Sequence, residues 1–164
     1  MAVTIFNKYG LNLYALNIFL LISTALIISI IDLKTLLISN FFLIIFLLLS
    51  IYPIILNNSL KDNFYGSLLM FLFFLIILFI FPGSFGGGDL KLATLIGLVL
   101  GLKLSLVALE TSLISGALLG TIYAFWKKKS LRIKIAFAPF LTLGLIVAWL
   151  YGQDLILIYY KVVF

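Results

Sequence analysis

Apolar positions run unbroken for long stretches, with neither the two-residue alternation of a half-buried strand nor the three-to-four spacing of a helix wet on one side. Six such runs fall at 13–31, 36–56, 64–81, 90–102, 104–126 and 135–151 or beyond. A helix needs about 20 apolar residues to cross roughly 30 Å of hydrocarbon, so the runs predict an all-α polytopic membrane protein, a bundle of six transmembrane helices in a single domain over residues 1–164. The fourth run is short: at 1.5 Å per residue it covers only about 20 Å, so it crosses a thinned bilayer or forms a re-entrant segment. Glycine and proline fall between runs at Pro82-Gly83 and Gly86-Gly87-Gly88, with Gly101 near the end of the fourth and Pro53 inside the second, where it would kink the helix.

Charge placement sets the expected orientation. With the N-terminus outside and all six runs crossing, Lys34, Lys91, Lys127, Lys128, Lys129, Arg132 and Lys134 lie inside, against Lys8, Lys61, Lys103 and Lys161 outside. This reading gives the net charge of +6 to topology and membrane lipid, leaving no nucleic-acid partner. Hydrophobic residues make up 65% of the chain and the mean hydropathy is +1.36, which puts the whole chain, and not one anchor, in lipid. No small-residue cleavage pattern closes the first run, so it is expected to be retained as a helix. Trp126, Trp149 and Tyr151 read as interfacial anchors, and the Phe-rich third helix as facing lipid or a substrate helix.

The chain holds no cysteine and no histidine. Thiol nucleophiles, disulfides, the usual zinc sites and Ser-His triads are thereby excluded, and no metal or cofactor is implied. Five acidic residues remain, and the topology puts Asp32 at the end of helix one and Asp89 at the start of helix four, both on the cytoplasmic side. Two carboxylates about 3 Å apart cannot both ionise; one keeps its proton while the other acts as base toward a water between them, which is the chemistry of metal-free peptide hydrolysis. Gly86-Gly87-Gly88 before Asp89 would let backbone approach a substrate strand closely. Read more simply, both acids cap helix ends, and the residues alone leave these alternatives open.

Asp32-Leu33-Lys34-Thr35-Leu36-Leu37-Ile38-Ser39-Asn40 resembles the first motif of the type IV prepilin peptidases, an Asp followed six residues later by Ile-Pro-Asn. Gly86-Gly87-Gly88-Asp89-Leu90-Lys91 matches their GxGDxK motif, and the segment from Ile135 through Pro139 to Gly144 resembles their apolar-Pro motif opening the last helix. The resemblance covers nearly the whole chain. It implies that Asp32 and Asp89 are the catalytic pair of an intramembrane aspartic endopeptidase, with Gly86, Gly88, Lys91 and Asn40 supporting the site. The implied substrate is a type IV prepilin or pseudopilin, with a short basic leader ahead of an apolar helix, cut at the cytoplasmic face of the inner membrane. Pilus or secretion assembly machinery would be a further partner.

Ser39 stands where the family usually has proline. Bifunctional members also carry an N-terminal region with paired Cys-x-x-Cys motifs that methylates the product; with no cysteine, and about a dozen residues before helix one, this chain is expected to cleave without methylating. Outside the class of proteases, the alternative is a small proton-coupled transporter or channel, for which Glu110 in the fifth run would be indispensable. As a plain interfacial group, Glu110 pairs with Lys103 two turns away. Ser39 with Lys34, or Ser84 with Lys91, would be the members of a Ser-Lys dyad, but neither serine has a nucleophile's setting.

Overall fold

The structure is a computed structural model that describes residues 12–57, 59–81, 86–127 and 136–163. Five helical elements make up the described residues: α1 Leu13–Thr35, α2 Asn40–Asn57, α3 Leu60–Ile80, α4 Gly87–Lys127 and α5 Ala138–Val163. The fold is all-helical. Four of the helices are long and apolar enough to cross a membrane, over Leu13–Thr35, Leu60–Ile80, Gly87–Thr121 and Ala138–Lys161, and α2 adds a shorter apolar helix over Asn40–Leu56. Large apolar side chains stand exposed around the bundle, Phe79 at 79% and Leu37 at 71% among them, a surface that water would not tolerate and lipid does.

The fourth and fifth expected helices meet end to end with no loop between them. Runs four and five are the two arms of α4, helices that meet at Gly101, whose φ of 74° and ψ of 176° lie outside the helical region and suit a residue without Cβ. The break reverses the chain. Asp89 lies beside Gly86 and within the field of Asp32, while a methyl group on Gly116 would touch the Phe137 ring, and Phe137 adjoins the amide that binds Asp32. A straight helix would hold Asp89 and Gly116 about 40 Å apart. Ser105 Oγ also reaches 3.4 Å from the Gly97 carbonyl oxygen, eight residues back, which a straight helix forbids.

Each arm of α4 therefore has its own partner. Along the first arm, residues 87–100, α3 runs antiparallel: a methyl group on Gly66 would stand 2.5 Å from the Gly97 carbonyl oxygen and 2.5 Å from the Gly101 carbonyl carbon. Small residues let the two backbones touch, which is how helices associate where lipid removes the hydrophobic drive. Against the second arm, residues 102–127, lies α5, with Gly144 against Ala108 and Ser112 and Gly152 against Leu104. The buried core between the elements is filled by Ile18, Leu21, Ile22, Phe46, Met70, Phe74, Ile96, Leu141 and Leu145.

Other boundaries move by a few residues. Expected over 13–31, α1 starts at Leu13, capped by Asn12, whose side chain accepts the Ala15 amide at 2.9 Å, but runs on to Thr35, ending where Leu36 takes a left-handed conformation with φ of 55°. Asp32 is thus in the last turn of the helix, not beyond it. Instead of residue 36, α2 begins at Asn40; α3 begins at Leu60, not 64; and α5 reaches Val163. Pro53 is buried inside α2. Trp149 is a core residue at 8% exposure, not an interfacial anchor, because it falls on the face of α5 that meets the bundle, whereas Tyr151 is exposed. The Phe-rich segment divides, with Phe74 buried and Phe79 and Phe81 exposed. Pro82, Gly83, Ser84, Lys8 and the basic run from Lys128 to Lys134 lie outside the described residues, as do the side chains of Trp126 and Lys127.

Candidate active site

Asp32 is 3% exposed in the last turn of α1, facing the start of α5. Its Oδ2 accepts the Ala138 amide at 3.1 Å, and the Phe137 amide makes a second backbone contact with the same carboxyl group. The sequence Ala136-Phe137-Ala138-Pro139 accounts for this. The first amides of a helix have no partner within it, and Pro139 occupies a first-turn position where a missing N–H costs nothing. The Phe140 and Leu141 amides turn back to the Phe137 carbonyl at 3.0 and 3.2 Å, so Ala138 is left to point at Asp32. A carboxylate at this positive helix end is favoured electrostatically.

Asp89 is 5% exposed in the first turn of α4. Its Oδ2 accepts the Gly86 amide at 3.0 Å while its own amide donates to the Gly86 carbonyl at 3.0 Å. This is the return half of a capping box, with the third helical residue reaching back to the cap. Its other oxygen, Oδ1, is buried and accepts no hydrogen bond from the described residues. Although fifty-seven residues separate them, Asp32 and Asp89 are close enough for the charge of the first to act on the second. Each carboxylate thus accepts backbone amides at the start of a helix, and Asp89 Oδ1 accepts none from the described residues. Gly88 packs so tightly that a methyl group there would stand 2.7 Å from Ile38 Cβ, which ties the turn after α1 to the start of α4.

Two more of the expected residues come together. Lys91 Nζ donates to Asn40 Oδ1 at 3.1 Å, joining the first turns of α4 and α2. This pair rims an apolar cleft of about 440 Å³, walled by Leu43, Ile44 and Leu47 of α2, Phe71 of α3, and Leu90, Thr94 and Leu95 of α4. Gly86 is exposed beside Asp89. Among the described residues, no three His, Cys, Asp or Glu side chains are grouped so as to hold a metal ion.

The profile of the type IV leader peptidase family matches residues 19–125, from the middle of α1 into the second arm of α4, and so takes in both aspartates. The chain belongs to the type IV leader peptidase family. It is also similar to the prepilin leader peptidase/N-methyltransferase of Bacillus subtilis (strain 168), with 36% identity over 159 residues that cover 94% of this chain. The chain spans 63% of that relative's length. No solved structure matches. In this leader peptidase family member Glu110 stands exposed on the second arm of α4, unlike the buried Asp32 and Asp89. Sequence reasoning missed the Phe137 and Ala138 amides as partners of Asp32. The signal was there, in Pro139 one residue after Ala138, since proline in a first turn marks where free amides lie.

Proposed function

We propose that this chain is an intramembrane aspartic endopeptidase that removes the short basic leader from type IV prepilins or pseudopilins, with Asp32 and Asp89 as its catalytic pair. The observation that carries this reading is the convergence of two buried aspartates from distant helices, one of them with a free buried oxygen. In the proposed reaction the pair shares one proton. The ionised member takes a proton from a water molecule, whose oxygen attacks the scissile carbonyl carbon; the protonated member donates to the carbonyl oxygen. As the C–N bond breaks, the amine leaves with a proton from the pair. The protons belong to the pair, so neither aspartate is assigned one role.

Gly86 would keep the approach to Asp89 open, Gly88 would let the start of α4 seat against Ile38, and the Lys91–Asn40 hydrogen bond would hold the mouth of the site between α2 and α4. We read the two arms of α4 as separate crossings, which with the other four elements makes six, in a single transmembrane domain. The N-terminus would be outside and the aspartates at the cytoplasmic face of the inner membrane. At about 20 Å, the first arm is shorter than the hydrocarbon layer. A thinned, water-accessible bilayer at Asp89 would follow, which supports hydrolysis there. We assign to these residues leader cleavage without N-methylation, because methylation in the family goes with paired cysteines and this sequence has none.

Cleavage of a prepilin reporter in membranes, with expression matched by blot, tests the assignment. Asp32→Asn and Asp89→Asn should each lose at least about 100-fold in rate, the scale of acid–base catalysis, while Glu110→Gln retains activity. Cleavage surviving in both aspartate variants but lost in Glu110→Gln would transfer the function to Glu110 and revive the transporter reading.

A further inference from the structure

Below the contact between Asp32 and α5 lies a second contact between the same two helices. Ser29 is 4% exposed and Thr142 is 1% exposed, and their hydroxyl oxygens are 2.7 Å apart. Ser29 is three residues before Asp32 on α1; Thr142 is four residues after Ala138 on α5. At 1.5 Å per residue the hydroxyl pair sits about 5–6 Å deeper in the bundle than the Asp32–Ala138 contact, on the same two helix faces.

The hydrogen bonding is closed. Both hydroxyls also reach the Ala25 carbonyl oxygen, Ser29 at 2.9 Å and Thr142 at 3.2 Å. Two protons serve three contacts, so one hydroxyl donates to Ala25 while the other donates to the first, and either order satisfies both groups. Thr142 differs here from the other buried hydroxyls. Ser50, Ser105 and Ser112 each bond a carbonyl four residues back on their own helix, whereas Thr142 crosses to α1. A side chain that forgoes its own helix in a buried setting links two helices and favours one register, because a slide breaks the hydrogen bonds that cross between them.

We propose that Ser29 and Thr142 are positioning residues for Asp32, holding the first turn of α5 at the height where the Ala138 amide meets the carboxylate. This inference rests on the catalytic assignment above. Without the hydroxyl pair, α5 is free to slide or rotate on α1 by the fraction of an ångström that moves the amide off Oδ2. The aspartate then keeps its place in the chain and loses its orientation toward Asp89. Neither hydroxyl touches the reacting atoms.

The test uses the full chain in proteoliposomes with a prepilin reporter. Thr142→Val keeps the shape and removes the hydroxyl; Thr142→Ser keeps the hydroxyl. The expected result is a kcat lower by about tenfold or more in Thr142→Val, with KM within about twofold and the pH–rate profile displaced, and recovery in Thr142→Ser. Ser29→Ala should give the same split to a smaller degree, since Thr142 keeps its bond to Ala25, and it stands in if Thr142→Val does not accumulate. Specific activity is referred to folded protein by thermal melting in detergent. Wild-type kcat and pH profile in both Thr142→Val and Ser29→Ala overturn the inference, as does a loss confined to melting temperature. Failure of the catalytic assignment looks different: Asp32→Asn would then cleave like the wild type, and the positioning role would fall with it.

Discussion

Replacing Gly66 by alanine loads the α3–α4 crossing at its tightest point. The added methyl group would stand 2.5 Å from the Gly97 carbonyl oxygen and from the Gly101 carbonyl carbon. Both obstacles are backbone, so no rotamer change relieves them, and ordinary contact needs about 3.5–4.0 Å between carbon atoms. The helices must therefore part by roughly 1 Å, and a gap of that size forfeits a quarter to a half of the dispersion energy of each contact it opens. Overpacking of this kind costs about 1–3 kcal/mol, and a backbone-on-backbone clash belongs at the upper end. The first arm of α4 also carries Asp89, so the same displacement reaches the site. A misplacement near 1 Å at a reacting group costs on the order of 100-fold in rate. The expected outcome for Gly66→Ala is a lower melting temperature in detergent together with reporter cleavage reduced by more than the loss of folded protein explains. Wild-type melting and wild-type cleavage in Gly66→Ala would refute the close crossing and the mechanical link from Gly66 to Asp89.

Other substitutions probe the same scaffold. Gly101→Ala places a side chain at φ of 74° and against the Asp62 carboxylate, so it should destabilise by about 1–3 kcal/mol, read as a lowered melting temperature. Gly88→Ala meets Ile38 Cβ at 2.7 Å and should impair cleavage, whereas Gly87→Ala, with nothing within 4 Å of its added carbon, should melt like the wild type; equal melting and cleavage in the two would contradict the packing of the motif. Lys91→Met removes an exposed hydrogen bond to Asn40 and should change stability by no more than about 1 kcal/mol, so a larger drop in melting temperature would mean that Lys91 is more than a clasp at the cleft mouth.

Much of the candidate site was legible because its residues are unusual for their surroundings. A carboxylate in an apolar chain is costly, so Asp32 and Asp89 stand out against their sequence neighbours by residue type alone. Their shared end of the bundle followed from counting crossings. Pro139 marks free amides at the start of α5, but their pairing with Asp32 was not legible, since only the docking of α5 on α1 aims the Ala138 amide at Oδ2. Trp149 was misread for a related reason. Its position near a run's end suggested an interface, but α5 continues to Val163 and the indole lies on the face packed into the core.

The sequence by itself determined the solvent of this protein and its chemical repertoire. Long apolar runs require lipid and helices, because unpaired backbone groups are intolerable there, and a chain without cysteine or histidine leaves only Asp, Glu, Lys, Tyr or Ser for any chemistry. Only the tertiary structure decided that the chain folds back at Gly101 between the fourth and fifth runs, that Gly66 and Gly97 bring α3 against the first arm of α4, and that Thr142 reaches across to Ser29. Local pattern reports what each helix is made of. Which faces meet, and at what height, depends on close contacts between backbones remote in sequence, and in lipid those contacts are set by shape and hydrogen bonding, which apolar periodicity does not record.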